Sequence, residues 1–260
     1  MFKKILSLFL VFVFFISFFN VTYANSNIAL SVVNQNQIKL ESSVFGKDMR
    51  VMVEKDSKKY YYSVLDSLEY LPLQLGSGDY SIKVLKNIEG NRYSVLKSQV
   101  LKIKDNPKDV YLASSQPVYW IESDLLEDIR IDLFRSKNTD IEKIEKAYNY
   151  IIKNYKYDFD KINNISNEYV PVIDSVIEDE SGICYDFAAL FAGILRSEGI
   201  QTKLIKGYRL DLNGYHAWNE VLYDGKWVTI DTTYDLAFVN SKRSVSIFKD
   251  AKLYEKVREY

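Results

Sequence analysis

The hydrophobic period of the chain changes once, and that change sets what it can fold into. From about Asn27 to Lys104, apolar residues alternate with polar ones: Ile28/Leu30/Val32, Ile38/Leu40, Met49/Val51/Val53 and Tyr80/Ile82/Val84. A period of two marks half-buried strands. Turn-forming stretches separate them at Asn34–Asn36, Gly46-Lys47-Asp48, Gly76-Ser77-Gly78-Asp79 and Glu89-Gly90-Asn91. About seven short strands in about 80 residues predict a small immunoglobulin-like β-sandwich. The chain has a single cysteine, so no intrachain disulfide can staple this sandwich and apolar packing must hold it. The region carries no site chemistry and reads as a spacer or positioning module, with a ligand-binding module as the alternative.

Asp105-Asn106-Pro107-Lys108 ends the alternation. Beyond it the period is helical. Thr139 or Asp140 can cap a helix whose apolar face is Ile141, Ile144, Ala147, Tyr148, Ile151 and Ile152. Ser181-Gly182 precedes a second helix with Phe187, Leu190, Phe191, Ile194 and Leu195 on one face, and Gly199 stops it. Strands are predicted at about Thr202–Tyr208, Ala217–Tyr223 and Lys226–Asp231. Asp224-Gly225 between the last two is the strongest hairpin signal in the chain. Three segments result: 1–24, 25–106 and 107–260. The third is long enough to build its own core, which predicts that it folds alone.

Met1–Ala24 reads as a signal peptide. Lys3 and Lys4 form the positive end, Ile5–Phe19 is nearly unbroken apolar sequence, and Thr22-Tyr23-Ala24 offers a cleavage site. An apolar run of about 15 residues is shorter than the roughly 20 that a membrane span requires. The expected location is therefore secreted or cell-surface, with membrane contact only through an uncleaved leader. The charge is balanced, 34 Lys+Arg against 35 Asp+Glu, which gives no electrostatic footprint for nucleic acid.

One Cys (Cys184) and one His (His216) limit the chemistry. No Cys-rich metal centre is available, and any imidazole chemistry must use His216. Asp158 and Asp160 with Asn163 and Asn164 lack the spacing of a recognised calcium loop and read as a solvated loop. Cys184 opens a predicted helix, where free backbone N–H groups favour a thiolate and can donate to an oxyanion. A two-residue turn at Asp224-Gly225 pairs Tyr223 with Lys226, Trp218 with Asp231 and His216 with Thr233. His216, Trp218, Asp231 and Thr233 then share one face, with His216 and Asp231 as diagonal neighbours. A carboxylate so placed can fix the imidazole tautomer and stabilise its charged form. The thiol is the nucleophile left to face it, and it is expected to be partly exposed.

These residues carry a resemblance. Glu180-Ser181-Gly182-Ile183-Cys184-Tyr185-Asp186-Phe187-Ala188, followed by Leu195-Arg196-Ser197-Glu198-Gly199-Ile200, resembles the Cys motif of the transglutaminase-like superfamily. Gly207-Tyr208 with His216-Ala217-Trp218-Asn219-Glu220-Val221 resembles its His motif, and Trp227-Val228-Thr229-Ile230-Asp231-Thr232-Thr233 its Asp motif. The upstream Ala147–Asp158 stretch is similar to the helix that precedes the Cys, and the likeness covers about Tyr111–Asp235.

The resemblance implies an α+β, papain-like core over 107–260, with the Cys helix packed on an antiparallel sheet that carries His and Asp. It implies Cys184 as nucleophile, His216 as base and acid, and Asp231 as orienter, with no cofactor and no metal. Two positions depart from the family pattern. Thr232 stands where many members have Pro, and Glu178 stands where papain-type enzymes carry a Gln oxyanion donor. Tyr157 is a candidate oxyanion donor and Trp218 a candidate shield of the ion pair. Asn219, Glu220 and Asp186 read as structural polar groups. The implied activity is that of a thiol enzyme acting on amide bonds, by hydrolysis or by acyl transfer, on an extracellular protein or cell-wall peptide. The alternative is a non-catalytic surface protein that uses the same fold for binding.

Overall fold

The computed structural model describes residues 27–105, 107, 109–239 and 245–260. The expected leader, residues 1–24, lies outside the described residues. The alternating region forms strands β1 (Ile28–Val33), β2 (Gln37–Ser42), β3 (Gly46–Lys55), β4 (Lys58–Val64), β5 (Leu68–Pro72), β6 (Gly78–Glu89) and β7 (Arg92–Ile103). They lie in two antiparallel sheets, β1-β2-β5 and β4-β3-β6-β7. The inward residues of both sheets, among them Ile38, Leu40, Val51, Leu71, Ile82 and Val84, are wholly buried in one core. Tyr80, near the start of β6, accepts from the Leu75 N–H at 3.0 Å and donates to the Gly76 carbonyl at 2.8 Å. The hydroxyl thus ties the start of β6 to backbone a few residues upstream, as a tyrosine corner does. It closes the β5–β6 connection without a disulfide.

The second half opens with α1 (Asp124–Leu133) and α2 (Asp140–Asn154). Thr139 caps α2 as the sequence predicts, in a reciprocal capping box with Glu142. Short pieces follow: β8 (Lys156–Tyr157), α3 (Phe159–Asn164), α4 (Ile173–Asp179) and β9 (Ser181–Gly182), with β8 and β9 paired in parallel. Helix α5 (Cys184–Ser197) ends at Gly199, whose φ of +77° places it in the left-handed region. Strands β10 (Thr202–Arg209), β11 (His216–Tyr223) and β12 (Lys226–Ile230), helix α6 (Thr232–Leu236), β13 (Phe248–Lys249) and β14 (Tyr254–Glu259) complete the chain. The sheet order is β13-β12-β11-β10-β14, antiparallel throughout. Helix α5 is buried from Cys184 to Arg196, because β10 and β11 cover one side and α1, α2, α4 and α6 the others.

Strand β14 escapes sequence reading. It pairs with β10 through a bulge at Lys206/Gly207. A Cβ at Gly207 would lie 2.0 Å from the Glu255 carbonyl oxygen and 2.9 Å from the Trp218 ring, so only glycine admits this crossing.

Sandwich and second half meet along a bonded seam. The buried Gln116 side chain accepts from the Ser63 N–H at 2.9 Å and donates to the Ser63 carbonyl at 3.0 Å and to Glu69 at 3.2 Å. Arg50 pairs with Glu168 at 2.7 Å. The Tyr260 ring packs edge-on against Tyr60 and Tyr62, with centroids 5.5 and 6.1 Å away.

Candidate active site

The nucleophile's position is built by the turn before it. Glu180 takes a left-handed φ of +46° and ends α4. Gly182 then passes so close to Asp186 that a Cβ would sit 2.8 Å from that residue's own Cβ. The Asp186 carboxylate reaches back to accept from the Ile183 N–H at 2.9 Å. It is also held by Lys161 at 2.8 Å and by the Tyr169 hydroxyl. Asp186 is therefore the clamp that starts α5, consistent with a structural role. Cys184 becomes the first helical residue, and its N–H has no carbonyl four residues back to bond. The thiol residue is only 8% exposed, which corrects the expectation of partial exposure. The sequence shows one apolar face on α5, whereas the fold covers the helix on every side.

His216 opens β11 opposite Gly207. Its Nε2 lies 2.8 Å from Asp231 Oδ2, and Cys184 lies near enough to the ring to act on its charge. Burial works against charge on this imidazole, but the bond to Asp231 and the nearby Asp231 and Cys184 charges outweigh it and raise the pKa from 6.5 to about 10. The imidazolium is the favoured form through neutral pH. Cys184, His216 and Asp231 are thus brought together.

The route to that geometry differs from the sequence reading. The hairpin register holds from Tyr223↔Lys226 to Asn219↔Ile230. The ladder then stops, and neither Trp218↔Asp231 nor His216↔Thr233 forms. Asp231 leaves the sheet as the N-cap of α6, its Oδ1 accepting from the Tyr234 N–H at 3.0 Å. Capping turns the carboxylate so that Oδ2 faces the imidazole. Thr232 enters the helix directly.

Two residues outside the motifs complete the support. The Tyr254 hydroxyl, from β14, donates to Asp231 Oδ2 at 3.0 Å and accepts from Arg209 Nη1 at 2.6 Å. Arg209 is held by both Asp211 oxygens and lies 3.4 Å from the Tyr234 ring centroid. Asp231, fully buried, therefore receives three bonds that fix its orientation. No local sequence signal marks Tyr254, because strand pairing alone brings it to the site.

Trp218 is 1% exposed, stacks on His216 at 6.2 Å and 24°, and packs at a tilt against Tyr254 at 5.0 Å. Tyr157 packs against Phe159 at 4.9 Å. Burial, with the charges of Cys184 and Asp186 nearby, pushes its hydroxyl up to about 12, so it is a neutral donor beside the thiol residue. Glu178 is exposed on α4. Asn219 ties β11 to its neighbours, donating to the Ala188 and Lys203 carbonyls at 2.9 and 3.1 Å. Glu220 pairs with Lys256 at 2.8 Å. Asp158 caps α3 through the Lys161 N–H at 2.8 Å, and Asn163 and Asn164 donate to carbonyls four residues back. Among the described residues, no three His, Cys, Asp or Glu side chains gather in a metal-binding group.

Residues 128–232 match the family model of the transglutaminase-like superfamily. That span runs from α1 to the start of α6 and contains Cys184, His216 and Asp231. Kyphoscoliosis peptidase from Homo sapiens and from Mus musculus are each 24% identical to this chain over 140 residues, half of the chain. The match covers 21% of those proteins, so this chain spans about a fifth of the length of the curated relatives it matches. A candidate cysteine protease from Cytophaga hutchinsonii is similar in structure with a TM-score of 0.45 and 15% identity, covering 90% of this chain and 74% of that one. Legionella pneumophila LapG aligns with a TM-score of 0.38 and 19% identity, over 52% of this chain and 71% of its own.

Proposed function

Residues 128–232 belong to the transglutaminase-like superfamily, and on that premise we propose that the protein is an exported thiol enzyme that hydrolyses amide bonds in peptides. The observation that carries the reading is the buried His216–Asp231 pair, 2.8 Å apart, with Cys184 near enough to the same ring to favour its charged form. The Cys184 sulfur attacks the amide carbonyl carbon. The free N–H of Cys184 donates to the oxyanion, and the half-buried Tyr157 hydroxyl is the candidate second donor. The proton held on His216 passes to the departing amine as the C–N bond breaks. A thioester remains, and water, deprotonated by His216, attacks it to release the acid and restore the thiol. Trp218 keeps bulk water from the ion pair, where charge–charge attraction is strongest.

The name peptidase borne by the curated relatives supports hydrolysis over transfer. The N-terminal charged and apolar leader supports export, and with it an extracellular protein or cell-wall peptide as substrate. The test is the mass of the purified protein after brief treatment with iodoacetamide near pH 7, beside the His216→Ala variant. One carboxamidomethyl adduct on Cys184, formed at least tenfold more slowly in the variant, is expected. Equal rates would leave a buried, unactivated thiol and the non-catalytic binding role in its place. Incubation with an extracellular peptide pool and a tagged primary amine then separates free acid, expected, from amine adduct, the product of acyl transfer.

A further inference from the structure

Lys206 is a buried-stem lysine that the triad does not use. It lies on β10 one residue before Gly207, the partner of His216. Its ammonium sits 3.7 Å from the centroid of Tyr185, the residue after the nucleophile. The Tyr215 ring, from the residue before His216, is 5.9 Å away. The charge is thus suspended between the elements that carry the thiol and the imidazole. Among the described residues no carboxylate forms an ion pair with it. The near carboxylate of Glu168 is taken by Arg50 at 2.7 Å. The Asp186 carboxylate is taken by Lys161 and Tyr169.

Lys206 also lines a cavity of about 80 Å³ at the seam, walled by Tyr62, Gln116, Glu168, Tyr185 and Tyr260. That is well above the roughly 15 Å³ one water occupies on this measure. The Gln116 amide is committed to Ser63 and Glu69, and Lys206 is the cation there with no carboxylate partner. A lysine drawn out of water with aromatic faces and a thiol beside it is incompletely compensated. Burial lowers its pKa to about 8, opposed by the Cys184 charge, so it remains mostly charged at neutral pH.

We infer that Lys206 is a specificity-determining residue, and that the seam cavity binds a carboxylate carried by the substrate close to the scissile amide. The substrate class is therefore an acidic peptide, with its carboxylate lodged between the sandwich and the α5/β10 face. The inference rests on the thiol-enzyme reading above, and the two can fail separately.

The test uses the full mature chain and two peptidyl chloromethyl ketones, acetyl-Ala-Glu- and acetyl-Ala-Gln-, which alkylate an active thiol. They differ only in the charge of the residue next to the reactive carbon. The quantity read is the ratio of their second-order rates on Cys184. Any change in thiolate content acts on both reagents alike and cancels in the ratio, so a role of Lys206 in tuning the thiol would not move it. The wild type is expected to favour the Glu reagent by about tenfold at low salt, falling toward unity at 1 M salt. Lys206→Met, which keeps the apolar stem, should bring the ratio to one or below, and Lys206→Arg should retain it. A ratio unchanged by Lys206→Met, or a wild type indifferent to the charge, overturns the subsite and leaves the triad standing. No labelling of Cys184 by either reagent overturns the thiol-enzyme reading and the subsite with it.

Discussion

Asp231→Asn is the perturbation whose consequence can be worked furthest. The imidazole of His216 rises from 6.5 to about 10, which corresponds to roughly 5 kcal/mol of preference for the charged ring. That preference is what remains after burial has acted the other way. The amide introduced at position 231 would still reach the ring, but it carries no charge and cannot accept through both of its polar atoms. Burial, the largest influence on the ring, would then be opposed only by Cys184. The sign follows: the pKa of His216 falls, and the ring becomes neutral at pH 7. Because His216 is the only histidine, its ring proton resonances in an NMR titration belong to one residue without assignment work. In the wild type they should hold the imidazolium position from pH 5 up to about 9, since the pKa lies near 10. In the variant they should titrate with a midpoint below about 6.5. Turnover should fall by about 10³- to 10⁴-fold, with the circular dichroism unchanged. A variant whose titration superimposes on the wild type would refute the claim that Asp231 sets the charge of the ring. A variant with lost charge but full activity would refute the triad.

Tyr254→Phe removes one of the three bonds on Asp231 and the acceptor of Arg209 Nη1. A fall in kcat of about tenfold with little change in KM is expected, and steady-state kinetics on a cleaved peptide checks it. Gly207→Ala places a Cβ 2.0 Å from the Glu255 carbonyl and must displace β14, at a cost of about 2–4 kcal/mol. Its urea midpoint should drop accordingly, and activity with it. Gln116→Ala leaves the buried Ser63 N–H and carbonyl without their side-chain partner, while Glu69 keeps Tyr119 on the same oxygen, costing about 2–3 kcal/mol by the same denaturation assay. For the same reason a 108–260 fragment, which the composition break suggests should fold alone, is expected to be markedly less stable than the whole chain.

The two periodicities place most of the elements, because each half buries its apolar residues in the pattern its sequence displays. Asp224 and Gly225 adopt φ of +49° and +71°, the turn that Asp-Gly predicts, and the register holds for the five pairs it governs. Reading fails where a local preference overrides the ladder. Asp231 is a good strand-end residue and a better helix cap, and the cap wins because Tyr234 N–H is there to be satisfied. Tyr254 and Lys206 are beyond reach for a different reason. Their roles depend on β14 crossing β10 at Gly207, a pairing between residues about fifty positions apart with no turn between them to fix the register. The burial of Cys184 is hidden likewise, since an apolar face in sequence does not reveal how many neighbours will cover the other faces.

Strand β14 ties the sandwich to the candidate active site. At one end, Tyr254 holds the carboxylate that holds His216. Further along, Arg258 lies 5.0 Å from the Tyr60 ring centroid and Tyr260 packs on Tyr60 and Tyr62, both sandwich rings. Its pairing with β10 is interrupted at the Gly207 bulge, and the Tyr260 backbone bonds Leu204 in both directions, at 2.9 and 3.0 Å. The strand is therefore anchored from two sides, and the position of the Tyr254 hydroxyl depends on both. A bond about 3 Å long loses most of its value with an ångström of displacement. A sandwich that merely spaced the active site from a surface would not need buried polar bonds and three packed tyrosines at this one strand. The seam also walls the cavity that Lys206 enters, so the same contacts that set the triad's orientation bound the space open to substrate.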